Sequence, residues 1–279
     1  MNRIIEYKYL GKKWRLNLLP QGDFTSDYFT PPTFSTVNPW LLSKSNGTFI
    51  DIGAHIGTTT IHAAPFYKRV VAFEPGKVNF AILEKNVSEN NITNIKLYDK
   101  AVSDVCGFST FYINESVHTG GNSLIKKAHL NLSTEVETVT LDHVFSSELH
   151  DYPKIDFIKI DIEGYECKAI KSCVETLRKQ QARPIFKVEF TPNIWAQNEK
   201  DVYWLFEYLR TNNYTPMLDT AGFISPLGIE TFIMLYNNWK NLIYDSWVDV
   251  YLVPNEFSTA EFVLSAYKTS QLIFSKLSQ

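Results

Sequence analysis

"FIDIGAHIGTTTIHAA", residues 49–64, passes from an apolar run through a turn with two glycines into a helix-type pattern. Phe49, Ile50 and Ile52 suit a buried strand, Gly53 and Gly57 interrupt it, and the threonines from Thr58 onward open a helix carrying Ile61, Ala63 and Ala64. Glycines at such a hand-over let a ligand approach the main chain and leave the first amides of the helix free to point at it. The spacing is G-x-x-x-G, not the G-x-G-x-x-G of pyrophosphate-binding dinucleotide folds, which argues against a nicotinamide cofactor.

Outward from this turn, β-type and helix-type runs alternate from about residue 48 to 236, the order that builds a mostly parallel sheet with helices on both faces. The expected strands are "TFIDIG", "RVVAFE", "NIKLYDKAVS", "IDFIKIDIEG", "PIFKVEF" and, last, "ETFIMLY" at 230–236, with shorter strands or a hairpin at "FSTFYI" and "VETVTL". Helices are expected over "TTTIHAAPFY", over 76–90 with Phe80, Leu83 and Val87 on one face, over "YECKAIKSCVETLRKQ", and over 200–211. The organisation read from this is an N-terminal extension over 1–47 with a hairpin turning at Gly11-Lys12, a catalytic domain over 48–236, and a C-terminal extension over 237–279 with a helical pattern at 256–276. The two extensions are expected to cap the sheet or pack on the core, with an oligomer contact or a substrate lid as the alternative.

The chain has 279 residues, a formal net charge of −3 and scattered Lys and Arg, so a phosphate-backbone binder is disfavoured and no nucleic-acid partner is expected. No stretch reaches the ~20 apolar residues of a membrane span, and "MNRIIEYKYLGKKWRLN" lacks the apolar segment of a signal peptide. Cys106, Cys167 and Cys173 show neither disulfide nor zinc spacing. The expectation is a soluble, cytoplasmic protein.

Glu74-Pro75 closes the second strand, 23 residues after Asp51. An acid there can accept hydrogen bonds from both hydroxyls of a ribose. In the fourth strand, period-two alternation puts Lys159 and Asp161 on one side and Ile158 and Ile160 on the other. Asp161 falls where ligands of open α/β sheets sit, beyond the strand ends at the topological switch. It is the first candidate for a catalytic carboxylate, with Glu163 second and Glu189, at the end of the fifth strand, converging on the same crevice. Lys159 is a substrate-binding candidate. The polar stretch 114–135, with His118, Gly120, Gly121, Asn122, Ser123 and His129, reads as a lid whose Asn122 and Ser123 bond the substrate. The aromatics Trp195, Tyr203, Trp204 and Tyr208 read as a packed helix face, with sugar stacking as the alternative.

"FIDIGAHIG", "VVAFEP", "AVSD", "VTLD" and "IDFIKIDIEGYE", in this order, resemble the FkbM-type S-adenosylmethionine-dependent methyltransferases. The resemblance covers roughly residues 48–236 and implies a Rossmann-like class I methyltransferase fold with a seven-stranded sheet. It also implies S-adenosylmethionine as cofactor over the C-terminal strand ends, and S-adenosylhomocysteine as product. Asp51, Gly53, Gly57 and the neighbouring Thr58 would line the amino-acid end of the cofactor. Glu74, with Pro75, would hold the ribose, and Ala101 would touch the adenine. His55 stands where the family usually has Asn, and can still donate to the cofactor carboxylate.

The activity implied is O-methylation of a sugar, glycan or nucleotide-sugar hydroxyl. The alternatives are a peptide or lipid acceptor, or a non-catalytic binding module on the same fold. A positioned carboxylate taking the hydroxyl proton typically contributes ~10²–10⁴-fold. A divalent cation gathered by Asp161, Glu163 and Glu189 would serve the same end, but no H-x-H or H-x-x-x-H pair accompanies them, so no metal is assigned. The Asn/Asp-Pro-Pro-Tyr/Phe run suited to exocyclic amino groups is missing after the fourth strand, where "DIEG" stands instead.

Overall fold

Strands β1 (Arg3–Tyr9) and β2 (Lys12–Leu18) pair antiparallel as an N-terminal hairpin, Tyr9 opposite Lys12. The computed structural model of the protein describes residues 3–9, 12–19, 45–114, 119–127, 129–220, 223–242 and 247–257, so the two residues at the hairpin turn lie outside the described residues. The helical pattern expected at 256–276 also lies outside them, save for a short 3-10 turn at Asn255–Phe257.

The alternation then unfolds as β3 (Ser45–Ile52), α1 (Thr58–Ala63), β4 (Tyr67–Phe73), α2 (Lys77–Glu89) and β5 (Ile95–Tyr98). Next come β6 (Ala101–Val102), β7 (Gly107–Ile113), β8 (Leu132–Val139), α3 (Leu141–Ser147), β9 (Ile155–Ile160), α4 (Glu166–Lys171) and α5 (Val174–Gln180). The chain continues through β10 (Ile185–Phe190), α6 (Pro192–Trp195), α7 (Glu199–Thr211), β11 (Tyr214–Thr220), β12 (Phe223–Pro226), α8 (Ile229–Trp239) and β13 (Val248–Pro254).

The main sheet has eight strands in the order β12-β11-β13-β10-β9-β3-β4-β5. Parallel pairing runs from β10 to β5, while β13 is antiparallel to both β10 and β11. The expected seven-stranded, mostly parallel sheet is therefore present, with one reversed strand inside it and β12 added at the edge by an antiparallel pairing. Succession moves outward from β3 through β4 and β5 on one side, then from β9 to β10 on the other. The switch point thus lies between β3 and β9, and a crevice opens beyond their C-terminal ends.

One sheet face packs Ile50, Ile52, Ile158, Ile160, Phe186 and Val188 against helices α3, α4, α5, α7 and α8. The other packs Phe49, Val70, Phe157 and Tyr251 against α1, α2 and the hairpin residues Trp14, Leu16 and Leu18. The hairpin is tied to α2 by Asn86, whose Oδ1 accepts from the Asn17 main-chain N–H at 2.6 Å and whose Nδ2 donates to the Ile56 carbonyl at 2.7 Å.

Four elements differ from the sequence expectations. The third strand divides at Asp99-Lys100: β5 stays in the main sheet, and β6 joins β8 and β7 in a separate three-stranded sheet. The long helix after Gly164 breaks into α4 and α5 where Ser172 and Cys173 turn their side chains back onto the carbonyls of Ala169 and Ile170. "ETFIMLY" is helical, not a strand: Phe232 and Tyr236, one turn apart, are buried while Met234 is exposed. The closing strand of the sheet is β13, from the segment read as an extension. Among the described residues, no helix is long and apolar enough to cross a membrane.

Candidate functional site

A cavity of about 440 Å³ lies beyond the C-terminal ends of β3, β4, β9 and β10. Gly53, His55, Thr58, Glu74, Pro75, Ala101, Asn122, Lys159, Asp161, Glu163 and Glu189, all predicted from sequence, line it. Asp51, Gly57 and Ser123 do not.

The turn after β3 explains that division. Gly53 has φ +80°, and a Cβ there would stand 1.9 Å from the Asp161 carbonyl oxygen. Gly57 has φ +89°, and its Cβ would meet Leu83 Cδ1 at 2.4 Å. Both glycines answer to left-handed backbone and Gly53 also to the close approach of the Asp161 main chain, while Gly53 in addition faces the cavity. Asp51 is fully buried beneath the turn, where Thr60 Oγ1 donates to its Oδ2 at 2.6 Å and Lys159 Nζ lies 3.4 Å from its Oδ1. Burial raises its pKa, against the pull of Lys159 and Thr60.

Glu74 turns toward the glycine turn. Its Oε2 accepts from the His55 N–H at 2.9 Å, and its Oε1 accepts from the Gly76 N–H at 2.9 Å and more weakly from Asn79 Nδ2 at 3.4 Å. Oε2 retains capacity for a further donor and Oε1 gains it by exchanging the weak Asn79 contact, so the pair of hydroxyls on a ribose fits the carboxylate. Burial pushes its pKa up to about 7, although the His55, Gly76 and Asn79 donors favour the charged form. A carboxyl whose pKa is higher folded than unfolded contributes stability that is fully present below about pH 4.5 and is lost as pH rises through about 7. Glu74→Gln is therefore expected to melt at a higher temperature than wild type at pH 8 and at nearly the same temperature at pH 5, both without ligand. A variant less stable than wild type at pH 8 would contradict this balance.

Alternation along β9 sends Lys159 to the cavity side, in register with Asp51 on β3 and Lys187 on β10. Lys159 Nζ donates to the Gly53 carbonyl at 3.1 Å and pairs with Asp161 Oδ2 at 3.2 Å. Burial opposes its charge, but Asp161 and Asp51 outweigh burial and raise its pKa. For Asp161 burial is likewise overcome by Lys159 and Lys187, and its pKa is lowered. Lys159 thus clamps the turn after β3 to the end of β9.

Carboxylate oxygens of Asp161, Glu163 and Glu189 all lie within 4.8 Å of one another. They are not equivalent. Asp161 has Lys159, and Glu163 has Lys127 Nζ on its Oε2. Glu189 Oε2 is buried with no hydrogen-bond partner among the described residues. Burial, with Asp161, Glu163 and Glu166 nearby, pushes the Glu189 pKa up to about 10. Two lysines already compensate two of the three acids, which leaves the cluster poorly suited to a divalent cation.

Glu163 takes the left-handed conformation at φ 62°, held by Ser123, whose Oγ donates to the Glu163 carbonyl at 2.9 Å and accepts from the Ile125 N–H at 2.9 Å. Ser123 is thus occupied within the protein. Asn122 lines the cavity with its Oδ1 accepting from the Asn114 N–H at 2.8 Å. A bridge between Tyr112 and Ser123 carries this segment along β7. His129 is exposed outside the cavity lining, and His118 lies outside the described residues. Trp195 is buried, donating from Nε1 to Glu166 Oε2 at 2.9 Å, and Trp204 stacks on Tyr208. These aromatics pack against protein rather than line the cavity.

The sequence reading missed Asn79, Lys100, Phe111, Tyr165 and Trp247, which also line the cavity. Asn79 carried a signal, a polar residue on the inner face of the helix that follows Glu74-Pro75. Trp247 carried none.

A mostly parallel sheet with helices on both faces, and a cavity at its switch point where an acid closes the second strand of the parallel run, is the architecture of the Rossmann-like methyltransferases. The FkbM methyltransferase domain matches residues 51–216, and the chain belongs to that family, an S-adenosylmethionine-dependent methyltransferase class. Among solved structures it is similar to an FkbM methyltransferase from Methylobacillus flagellatus KT, at 16% identity over 81% of this chain and 50% of that one, with a TM-score of 0.45. It is also similar to a precorrin-6y C5,15-methyltransferase from Geobacter metallireducens GS-15, at 10% identity over 82% and 96%, with a TM-score of 0.41. A third is a Streptococcus mutans protein solved with S-adenosylhomocysteine, at 13% identity over 78% and 93%, with a TM-score of 0.41. The chain spans half the length of the Methylobacillus protein. No curated protein matches it.

Proposed function

We propose that this chain transfers the methyl group of S-adenosylmethionine to a hydroxyl of a sugar, glycan or nucleotide sugar. The observation that carries the reading is the Glu74 carboxylate, turned onto the His55 amide in a cavity that Asp161, Glu163 and Glu189 also line. In this reading the Gly53–Thr58 turn holds the amino-acid end of the donor, Glu74 with Pro75 holds the ribose, and Ala101 lies against the adenine beside Val102, Phe111 and Leu124. The donor supplies a methyl carbon bound to a positively charged sulfur.

The protein's tasks are alignment and removal of one proton. Of the three acids Glu189 is best suited to the second: burial raises its pKa where lysines lower that of Asp161, Glu163 is engaged by Lys127, and Glu189 Oε2 has no hydrogen-bond partner among the described residues. Asp161, held ionised by lysines, is a weaker base and serves to fix Lys159. Positive charge brought beside the cluster favours the ionised form of Glu189, which then takes the acceptor proton on Oε2. Three free cysteines support a cytoplasmic setting.

The donor half of the reading is tested with S-adenosylhomocysteine. At a hundredfold excess over its Kd, the stabilisation of about 2.7 kcal/mol raises the melting temperature on the order of 5 °C. No upward shift at millimolar ligand overturns the reading.

A further inference from the structure

Trp247 is exposed to 67% of its surface and yet lines the cavity. It immediately precedes β13, whose register sets Val248 opposite Phe190 and Asp249 opposite Glu189. Trp247 thus lies just beyond the Val248–Phe190 pair and two residues before Asp249, on the β10 side of a cavity whose Glu74 follows β4, three strands away. A large exposed aromatic beside convergent polar groups is what a ring-shaped polar ligand needs, since the indole offers a flat apolar face while the neighbouring groups take its hydrogen bonds.

The charges at this end are matched in pairs. Asp161 has Lys159 at 3.2 Å, Glu163 has Lys127, and Asp249 has Lys187 at 2.6 Å. Glu189 has no salt bridge among the described residues, and burial among the other acids raises its pKa, so that it is uncharged near neutrality until positive charge is brought beside it. Three of these acids are each offset by a lysine, and Glu189, once ionised, is offset by the positive sulfur of the donor, so no net charge is left to select a cationic or an anionic acceptor, whereas carboxyl and ammonium groups together offer both acceptors and donors to hydroxyls.

We infer that Trp247, with Glu189 and its lysine-paired neighbours, forms the acceptor subsite, in which the indole stacks on an uncharged polyhydroxylated ring. The inference rests on the reading of the chain as a hydroxyl methyltransferase and adds the residue that positions the ring and the charge class of the part bound.

The test uses the full chain, tritiated methyl donor, and a panel of methyl glycosides of hexoses, 6-deoxyhexoses and pentoses, with spermidine and a hexuronic acid as charged comparators. Label is expected on a neutral glycoside. Trp247→Ala raises the KM for that glycoside tenfold or more, leaves the Kd for S-adenosylhomocysteine within twofold, and Trp247→Phe recovers most of the loss. A glycoside KM within twofold of wild type in Trp247→Ala overturns the inference, as does preferential labelling of spermidine or the uronic acid. Label on none of the panel while S-adenosylhomocysteine still binds overturns the inference and leaves the donor site standing. Failure to bind S-adenosylhomocysteine removes the reading beneath it as well.

Discussion

Glu189→Gln lowers the turnover number with a neutral glycoside acceptor by about 10²–10⁴-fold, the usual contribution of a positioned general base. The amide keeps the size of the side chain and removes the site where the hydroxyl proton goes. Because Glu189 Oε2 has no partner among the described residues, an amide placed there breaks no hydrogen bond at that atom, and the Kd for S-adenosylhomocysteine is expected to stay within twofold. Asp161→Asn is the control: it weakens one arm of the Lys159 clamp, and its effect on turnover is the smaller of the two. A larger loss in Asp161→Asn than in Glu189→Gln would move the proton-accepting role to Asp161. Turnover within threefold of wild type in Glu189→Gln would remove the role from Glu189.

The second large effect is on stability. Lys159→Met removes the cation that lies between Asp51, which is fully buried, and Asp161, and it also removes the donor to the Gly53 carbonyl. Breaking a buried pair by deleting one partner typically costs about 3–5 kcal/mol, because the remaining charge stays buried without compensation. Urea unfolding at pH 7 is expected to show a loss of that order. The deficit shrinks toward pH 5, since Asp51 and Asp161, released from Lys159, take up protons in the folded variant at a higher pH than in wild type. A loss below about 1 kcal/mol at pH 7 would mean that the clamp contributes little beyond what a packed methionine supplies.

The two predictions separate roles that share a few ångströms. In the proposed reading Glu189 takes the acceptor proton, whereas Lys159 holds the turn after β3 to the end of β9. Glu74 combines both aspects. Burial makes its charge costly in the unliganded protein, and the same charge, aimed at the turn, is what a ribose would bond.

Much of this was readable in the order of residues. Gly53 and Gly57 announce a turn because left-handed backbone excludes side chains, a local constraint that any context must respect. Glu74 follows from the acid at the close of the next strand, and the pairing of Lys159 with Asp161 on one face follows from the two-residue period of β9. These inferences rest on properties of a single element or of two adjacent ones. The run "ETFIMLY" shows the limit, because a short apolar stretch satisfies strand and helix equally until neighbours choose. Here Phe232 and Tyr236 pack on Phe206 of α7, and the helix wins.

From the letters alone, then, came the turn, the acids and the parallel order, all set by backbone sterics and local periodicity. The spacing of the carboxylates, the lysines paired with Asp161 and Glu163, and the arrival of Trp247 in the lining of the same cavity as Glu189 came from the fold, because β13 pairs with β10 across a sequence gap that no short motif spans. Long-range pairing and burial fix which acid lacks a cation among the described residues, and that property distinguishes Glu189 from two neighbours of the same chemistry.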